Sequence, residues 1–206
     1  MLKFYYSSST CSTASLIALE ESGLPYTPIE VSWKRELNVE ELNSLNPLGA
    51  VPVLVTEKKE VLTQNTAILE YIGNHATSKK LLAPIGNIER SQTLSWVAFV
   101  ASDLQKAFVP FFRSDAMTSD EKAQKEIETF AVKSVRDLLL HIDHSLGHKS
   151  YIVGDHFTVA DAYLYVISGW AEWVDIDLAE YKNLTRYRQA ISERPAVIKI
   201  TQLEEG

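Results

Sequence analysis

The sequence predicts an α/β domain at the N-terminus and an all-α domain after it. Three observations carry this expectation. The first three-eighths or so of the chain alternates strand and helix signals. From Leu82 onward the strand signals fade and long helical periodicities take over. Between the two lies Ala83-Pro84-Ile85-Gly86-Asn87, whose proline and glycine mark a turn or linker. A chain of 206 residues can hold two modest domains. We place the first over residues 1–78 and the second over 87–206.

Residues 2–6 are apolar and aromatic and read as a short strand. Residues 11–22 read as a helix, with Gly23 as its C-terminal stop. Residues 26–31 form a second strand, and residues 39–45 a short helix that ends at Asn46-Pro47-Leu48-Gly49. Residues 51–56 and 60–62 flank the charged Glu57-Lys58-Lys59, which is a hairpin signal. Residues 64–75 put Ala67, Ile68, Tyr71 and Ile72 on one helical face. A β-α-β unit followed by a hairpin and a helix is the thioredoxin-like arrangement. In the second half, residues 88–112 predict a long helix interrupted by Pro110. Residues 119–146, 159–173, 184–192 and 195–203 predict four more helices.

Composition excludes several functions. Hydrophobic residues make up 46% and charged residues 23%, as in ordinary globular proteins. A net charge of −7 argues against nucleic acid and against anionic lipid as partners. No apolar run approaches the ~18 residues of a membrane span, and the first residues turn polar too soon for a signal peptide. The single cysteine, Cys11, rules out an internal disulfide and points to a reducing cytoplasm. His141 and His144 have helical spacing but no third ligand in view, so no metal site is expected.

Two stretches carry the chemistry. In Asn46-Pro47-Leu48-Gly49-Ala50-Val51-Pro52-Val53-Leu54, Pro52 opens a β-prone run that a central strand would not tolerate. If the Val51–Pro52 bond is cis, the Val51 N–H and C=O face outward and can pair with an extended ligand. The alternative is a plain strand-start proline. In Thr63-Gln64-Asn65-Thr66-Ala67-Ile68, a polar pair opens a helix whose free N–H groups suit a carboxylate. Together they describe a cleft for a small peptide-like anion. A third motif, Gly154-Asp155-His156-Phe157-Thr158-Val159-Ala160-Asp161, has Thr158 as an N-cap and Asp161 at the third helical position, a capping box variant with a structural role.

On these residues, together with Tyr5 through Ser12, the chain resembles the glutathione S-transferases, and most closely the bacterial beta class. The resemblance covers nearly the whole chain. It implies glutathione as co-substrate, no metal or nucleotide, a helical domain with an electrophile pocket, and a homodimer. It matches Val51 and Pro52 to the site that pairs with the cysteinyl backbone of glutathione. Gln64 and Asn65 match the pair at the γ-glutamyl end, where Asn65 stands in place of the usual Ser or Gly. Cys11 matches a cysteine that contacts the glutathione sulfur. Its helix-start position favours a thiolate, and a small buried thiol is the alternative. Ser9 and Thr10, with Ser12, offer hydroxyls that can polarise a thiol. Gln105 and Lys106 match glutathione-contacting positions, with Gln105 where the family often has His. Phe112 and Trp170 are candidates for the electrophile pocket.

The function this implies is attack by the glutathione thiolate on small hydrophobic electrophiles. Two rivals stay open: glutathione-dependent thiol–disulfide or peroxidase activity through Cys11, and a non-catalytic binding or regulatory protein on the same fold.

Overall fold

A computed structural model describes residues 1–77 and 80–205. The domain boundary expected at residue 78, and Gly206, lie outside the described residues. The first half runs β1 (Leu2–Tyr6), α1 (Ser12–Ser22), β2 (Tyr26–Glu30), α2 (Val39–Leu45), β3 (Val53–Val55), β4 (Val61–Thr63) and α3 (Asn65–His75). The sheet order is β2-β1-β3-β4, with β1 parallel to β2 and the other pairs antiparallel. Alternation along β1 divides its side chains between the faces. Leu2, Phe4 and Tyr6 enter the large core, and Tyr5 joins Val31, Leu42 and Val53 in a smaller one. Pro28 is tolerated in β2 because that strand is a sheet edge. Gly23 closes α1 in the left-handed conformation, φ 72°.

The second half is helical: α4 (Ile88–Phe99), a π-helical turn (Val100–Leu104), α5 (Gln105–Phe112), α6 (Ser114–Met117), α7 (Glu121–Leu146), α8 (Val159–Gly169), 3₁₀ turns at Trp170–Val174 and Leu178–Glu180, α9 (Lys182–Ser192) and α10 (Pro195–Glu205). Asn87 caps α4 by accepting from the Glu89 N–H at 2.9 Å. The interruption expected at Pro110 occurs instead at residues 100–104. Pro110 lies inside α5, where its missing N–H leaves the Lys106 carbonyl without that helical bond, and the helix ends two residues later. The helix expected over 159–173 tightens to 3₁₀ geometry from Trp170.

One continuous core joins the two halves. Helix α1 packs against α8 and α10. At Gly73 of α3, an added Cβ would lie 2.7 Å from the Leu82 Cβ and 3.3 Å from Val159, so only glycine allows α3 this close to α8. Arg90, buried at the junction, donates to Asn74 Oδ1 and to the Ala83 carbonyl and pairs with Glu70.

At the start of α8, Asp161 is fully buried and its carboxylate accepts from four donors. These are the Thr158 N–H (2.8 Å), the Thr158 hydroxyl (2.8 Å), the Ile152 N–H (2.9 Å) and the Tyr187 hydroxyl (3.0 Å). The carboxylate therefore ties the incoming loop and α9 to the helix start. No helix among the described residues is long and apolar enough to cross a membrane.

Candidate functional site

A cleft of about 280 Å³ opens where the two halves meet. Three segments of the α/β half form one wall. Cys11 sits at the cap of α1, Asn46 through Pro52 form a loop, and Gln64, Asn65 and Thr66 begin α3. Ala101, Gln105 and Lys106 on the π turn and α5, with Tyr163 on α8, form the other wall. Among the described residues, the lining holds one cation, Lys106, and no carboxylate. Added to the N-terminus of α3, this gives a positive balance that suits an anion. A larger hollow, about 410 Å³, lies near Leu24, Glu57 and His75 and contains none of these groups.

The Val51–Pro52 peptide bond is cis. Both residues line the cleft, and β3 begins just after them. The loop before them is held by Asn46, whose amide donates to the Ala50 carbonyl at 2.7 Å and accepts from the Leu48 N–H at 3.2 Å. Gln64 is exposed at the cleft with φ 70°, a left-handed value unusual for glutamine.

Asn65 lines the cleft, and both ends of its side-chain amide are bonded to protein groups. The residue is buried. Its Oδ1 accepts from the Ser15 hydroxyl at 2.6 Å, and its Nδ2 donates to the Cys11 carbonyl at 3.0 Å. It also hydrogen-bonds the Tyr163 phenol. The physical reason is that α3 packs on α1, which brings Asn65 against the first turn of α1. The backbone N–H groups in the first turn of α3 lie beside Asn65, the kind of group that suits an anion.

The Cys11 thiol does not have the depressed pKa expected from its helix-start position. Burial pushes it up, and a hydrogen bond from the Gln105 side chain pulls part of the way back. Burial thus favours the neutral Cys11 thiol over the thiolate. Ser9 and Thr10 are not in the cleft. Ser9 is exposed with φ 61°, and its N–H donates to Glu204 Oε2 of α10 at 3.2 Å. The Thr10 hydroxyl is used within its own turn, on the Ser7 carbonyl at 2.8 Å and the Ser12 hydroxyl at 2.7 Å. These short side chains satisfy local backbone before they can reach a ligand.

Phe112 and Trp170 also lie off the cleft. They belong to an aromatic stack with Phe108, Phe111 and Trp173, in which the Trp170 and Trp173 rings are 5.6 Å apart. Phe112 and Trp173 remain 41% and 49% exposed, so this stack presents an apolar face rather than a closed pocket. Sequence reasoning missed Tyr163. Its hydroxyl donates to Gln105 Oε1 at 2.5 Å, beside Cys11. In sequence it looks like one more apolar residue of a buried helix, and its ring is indeed buried. Only its position two residues after Asp161, a known turn of the helix start, could have hinted at a different face. Among the described residues no group of His, Cys, Asp or Glu is arranged to hold a metal.

Comparison with known proteins shows the family. Residues 8–75 match the family model for the glutathione S-transferase N-terminal domain, and residues 99–195 match that for its C-terminal domain. Glutathione S-transferase GstA of Escherichia coli O157:H7 is 32% identical over 198 residues, which is 95% of this chain and 95% of that protein. A sphingomonad glutathione S-transferase solved with glutathione superposes with a TM-score of 0.89 at 35% identity, covering 98% of both chains. The beta-class enzyme of Sphingomonas chungbukensis gives a TM-score of 0.88 at 34% identity, again over 98% of both.

Proposed function

The chain belongs to the glutathione S-transferase family, and from that premise we propose that its cleft binds glutathione and directs the thiolate at small hydrophobic electrophiles. It is a glutathione transferase by fold and kinship. The observation that carries the reading is the convergence of an exposed peptide edge, a helix N-terminus, a thiol and a cation in one cleft. The Val51 backbone pairs with the cysteinyl unit of glutathione. The α3 N-terminus, with Gln64, receives the γ-glutamyl carboxylate. Lys106, at the rim, faces the glycyl carboxylate. Cys11 and Gln105 sit at the sulfur.

A free thiol has a pKa near 8.5, so only a few per cent is ionised at neutral pH. Lowering that value by about two units takes about 2.7 kcal/mol of preferential stabilisation of the thiolate. A neutral Cys11 supports this as a donor, its S–H directed at the glutathione thiolate. The proton released goes to solvent, the sulfur forms a bond to the electrophilic carbon, and the leaving group departs with the bonding pair. The rest of the acceleration comes from holding both reactants in place.

A second reading, thiol–disulfide exchange, is favoured by one fact: Cys11 lines the cleft. There the Cys11 thiolate attacks glutathione disulfide and releases one glutathione thiolate. The raised thiol pKa disfavours it. The same fold serves a homodimer, and the single cysteine suits the cytoplasm; both are part of this proposal.

A calorimetric titration of the reduced protein with glutathione tests it. Saturable binding near one per chain is expected, followed by turnover with an aryl halide. A folded protein that binds no glutathione overturns the reading. Mass spectrometry after incubation with glutathione disulfide separates the two chemistries, since exchange leaves a mixed disulfide on Cys11.

A further inference from the structure

We infer that Tyr163 is a positioning residue that locks the Gln105 amide into a one-way donor relay ending on the Cys11 sulfur. The inference rests on the transferase reading of the cleft. The Tyr163 hydroxyl donates to Gln105 Oε1 at 2.5 Å; Asn65, Tyr163, Gln105 and Cys11 line one cleft, where the Asn65 side chain favours the ionised phenol and the Gln105 side chain favours the thiolate, as donors do. An amide has one acceptor end and one donor end. With Oε1 held by the phenol, the NH₂ end is the one left for sulfur. The three groups come from α3, α8 and α5, and Asn65 and Tyr163 are buried. Asn65 is fixed in turn by the Ser15 hydroxyl and the Cys11 carbonyl. The starting donor therefore cannot reverse.

Such a chain polarises each bond by the one before it. Its end bears on Cys11, whose own S–H is then free for a second sulfur. A glutamine here cannot ionise, so the donation persists at every pH at which the fold stands. The titratable groups that line the cleft with this sulfur are Tyr163 from α8 and Lys106 from α5. Glu204 of α10 reaches the other side of the same turn, through the Ser9 N–H and the Thr13 hydroxyl.

The test is the pH dependence of Cys11 alkylation by iodoacetamide in the reduced, ligand-free protein. Tyr163→Phe keeps the ring and removes the lock. The expected result is a three- to ten-fold slower alkylation at neutral pH, with the midpoint moved up by about half to one unit. Gln105→Met should give a similar loss, and the double variant no more than the larger single loss. Gln105→Glu, which accepts from Tyr163 but cannot donate, should move the midpoint furthest. A Tyr163→Phe midpoint equal to the parent's, in a protein with the parent's circular dichroism, overturns the relay. So does additive loss in the double variant. Should Tyr163→Phe fail to fold, Gln105→Glu decides: an unmoved or lowered midpoint overturns the relay. Glutathione titration of the same proteins keeps the two claims apart. An altered midpoint with no glutathione binding defeats the transferase reading alone. Intact binding with an unmoved midpoint defeats the relay alone.

Discussion

Asp161 and Tyr163 are two residues apart on α8, and each anchors a buried polar cluster. The clusters are built on opposite principles. Asp161 collects four donors onto one carboxylate, from its own cap, from the loop at Ile152 and from Tyr187 of α9. It closes on itself and offers nothing to a ligand. Tyr163 passes a donor along, from Asn65 to Gln105 and toward a thiol at the edge of the cleft. The roughly 200° between residues two apart on a helix separates these tasks. One helix start thus serves stability on one side and sulfur chemistry on the other.

The sharpest way to break the first cluster is Asp161→Ala. It orphans four buried donors, and a loss of about 3 kcal/mol or more is expected in a urea denaturation. The glutathione affinity of whatever remains folded should be near the parent's. Asn65→Leu strikes the second cluster at its source and also strands the Ser15 hydroxyl and the Cys11 carbonyl. About 1–3 kcal/mol of stability should go, with slower Cys11 alkylation in the same protein. A variant that lost stability but kept the alkylation profile would show that the two effects are not joined at Asn65. Tyr187→Phe removes one of the four Asp161 donors, with an expected cost of about 1 kcal/mol and no change in turnover. Any change in the pH–rate profile would mean that the Asp161 cluster communicates with the cleft after all. Lys106→Ala should have the smallest effect. It leaves the denaturation curve in place and raises the KM for glutathione a few-fold, the size expected of an exposed charge. A matching fall in kcat would move Lys106 closer to the chemistry than its rim position suggests.

The Thr158–Asp161 pair of the first cluster was legible in the sequence because capping is local: the two are three residues apart and announce a helix start, whereas the donors from Ile152 and Tyr187 are not local and were not. The strand and helix order was legible for the same reason, since periodicity is read within a short window. Pro52 was legible because a proline at the head of an apolar run has few places to go. The Tyr163 cluster was not. Cys11, Asn65, Gln105 and Tyr163 span most of the chain, and nothing local says that their polar ends meet. Aromatic residues at helical spacing also do not reveal which of them faces a ligand: Phe112 and Trp170, the candidates for the electrophile pocket, stack on each other outside the lining of the cleft. Ser9 and Thr10 misled because proximity to Cys11 in sequence says nothing about what their own backbone already uses. The Cys11 pKa was misjudged because a helix start is legible and depth of burial is not.

The π turn at Val100–Leu104 changes how many residues one turn of the helix holds. Its closing bond runs from the Gln105 N–H back to the Val100 carbonyl, one residue longer than an α-helical bond. The turn is therefore a one-residue insertion absorbed inside a helix. An added residue rotates everything after it by about 100° relative to an uninterrupted helix. Gln105 and Lys106 reach the cleft in that rotated phase. Deleting a single residue from this turn would let the backbone relax into regular helix with both side chains still on the cleft face, whereas straightening the turn at its full length would carry them about 100° away. The wide turn, more than the identity of its own residues, thus decides that Gln105 and Lys106 meet the cleft.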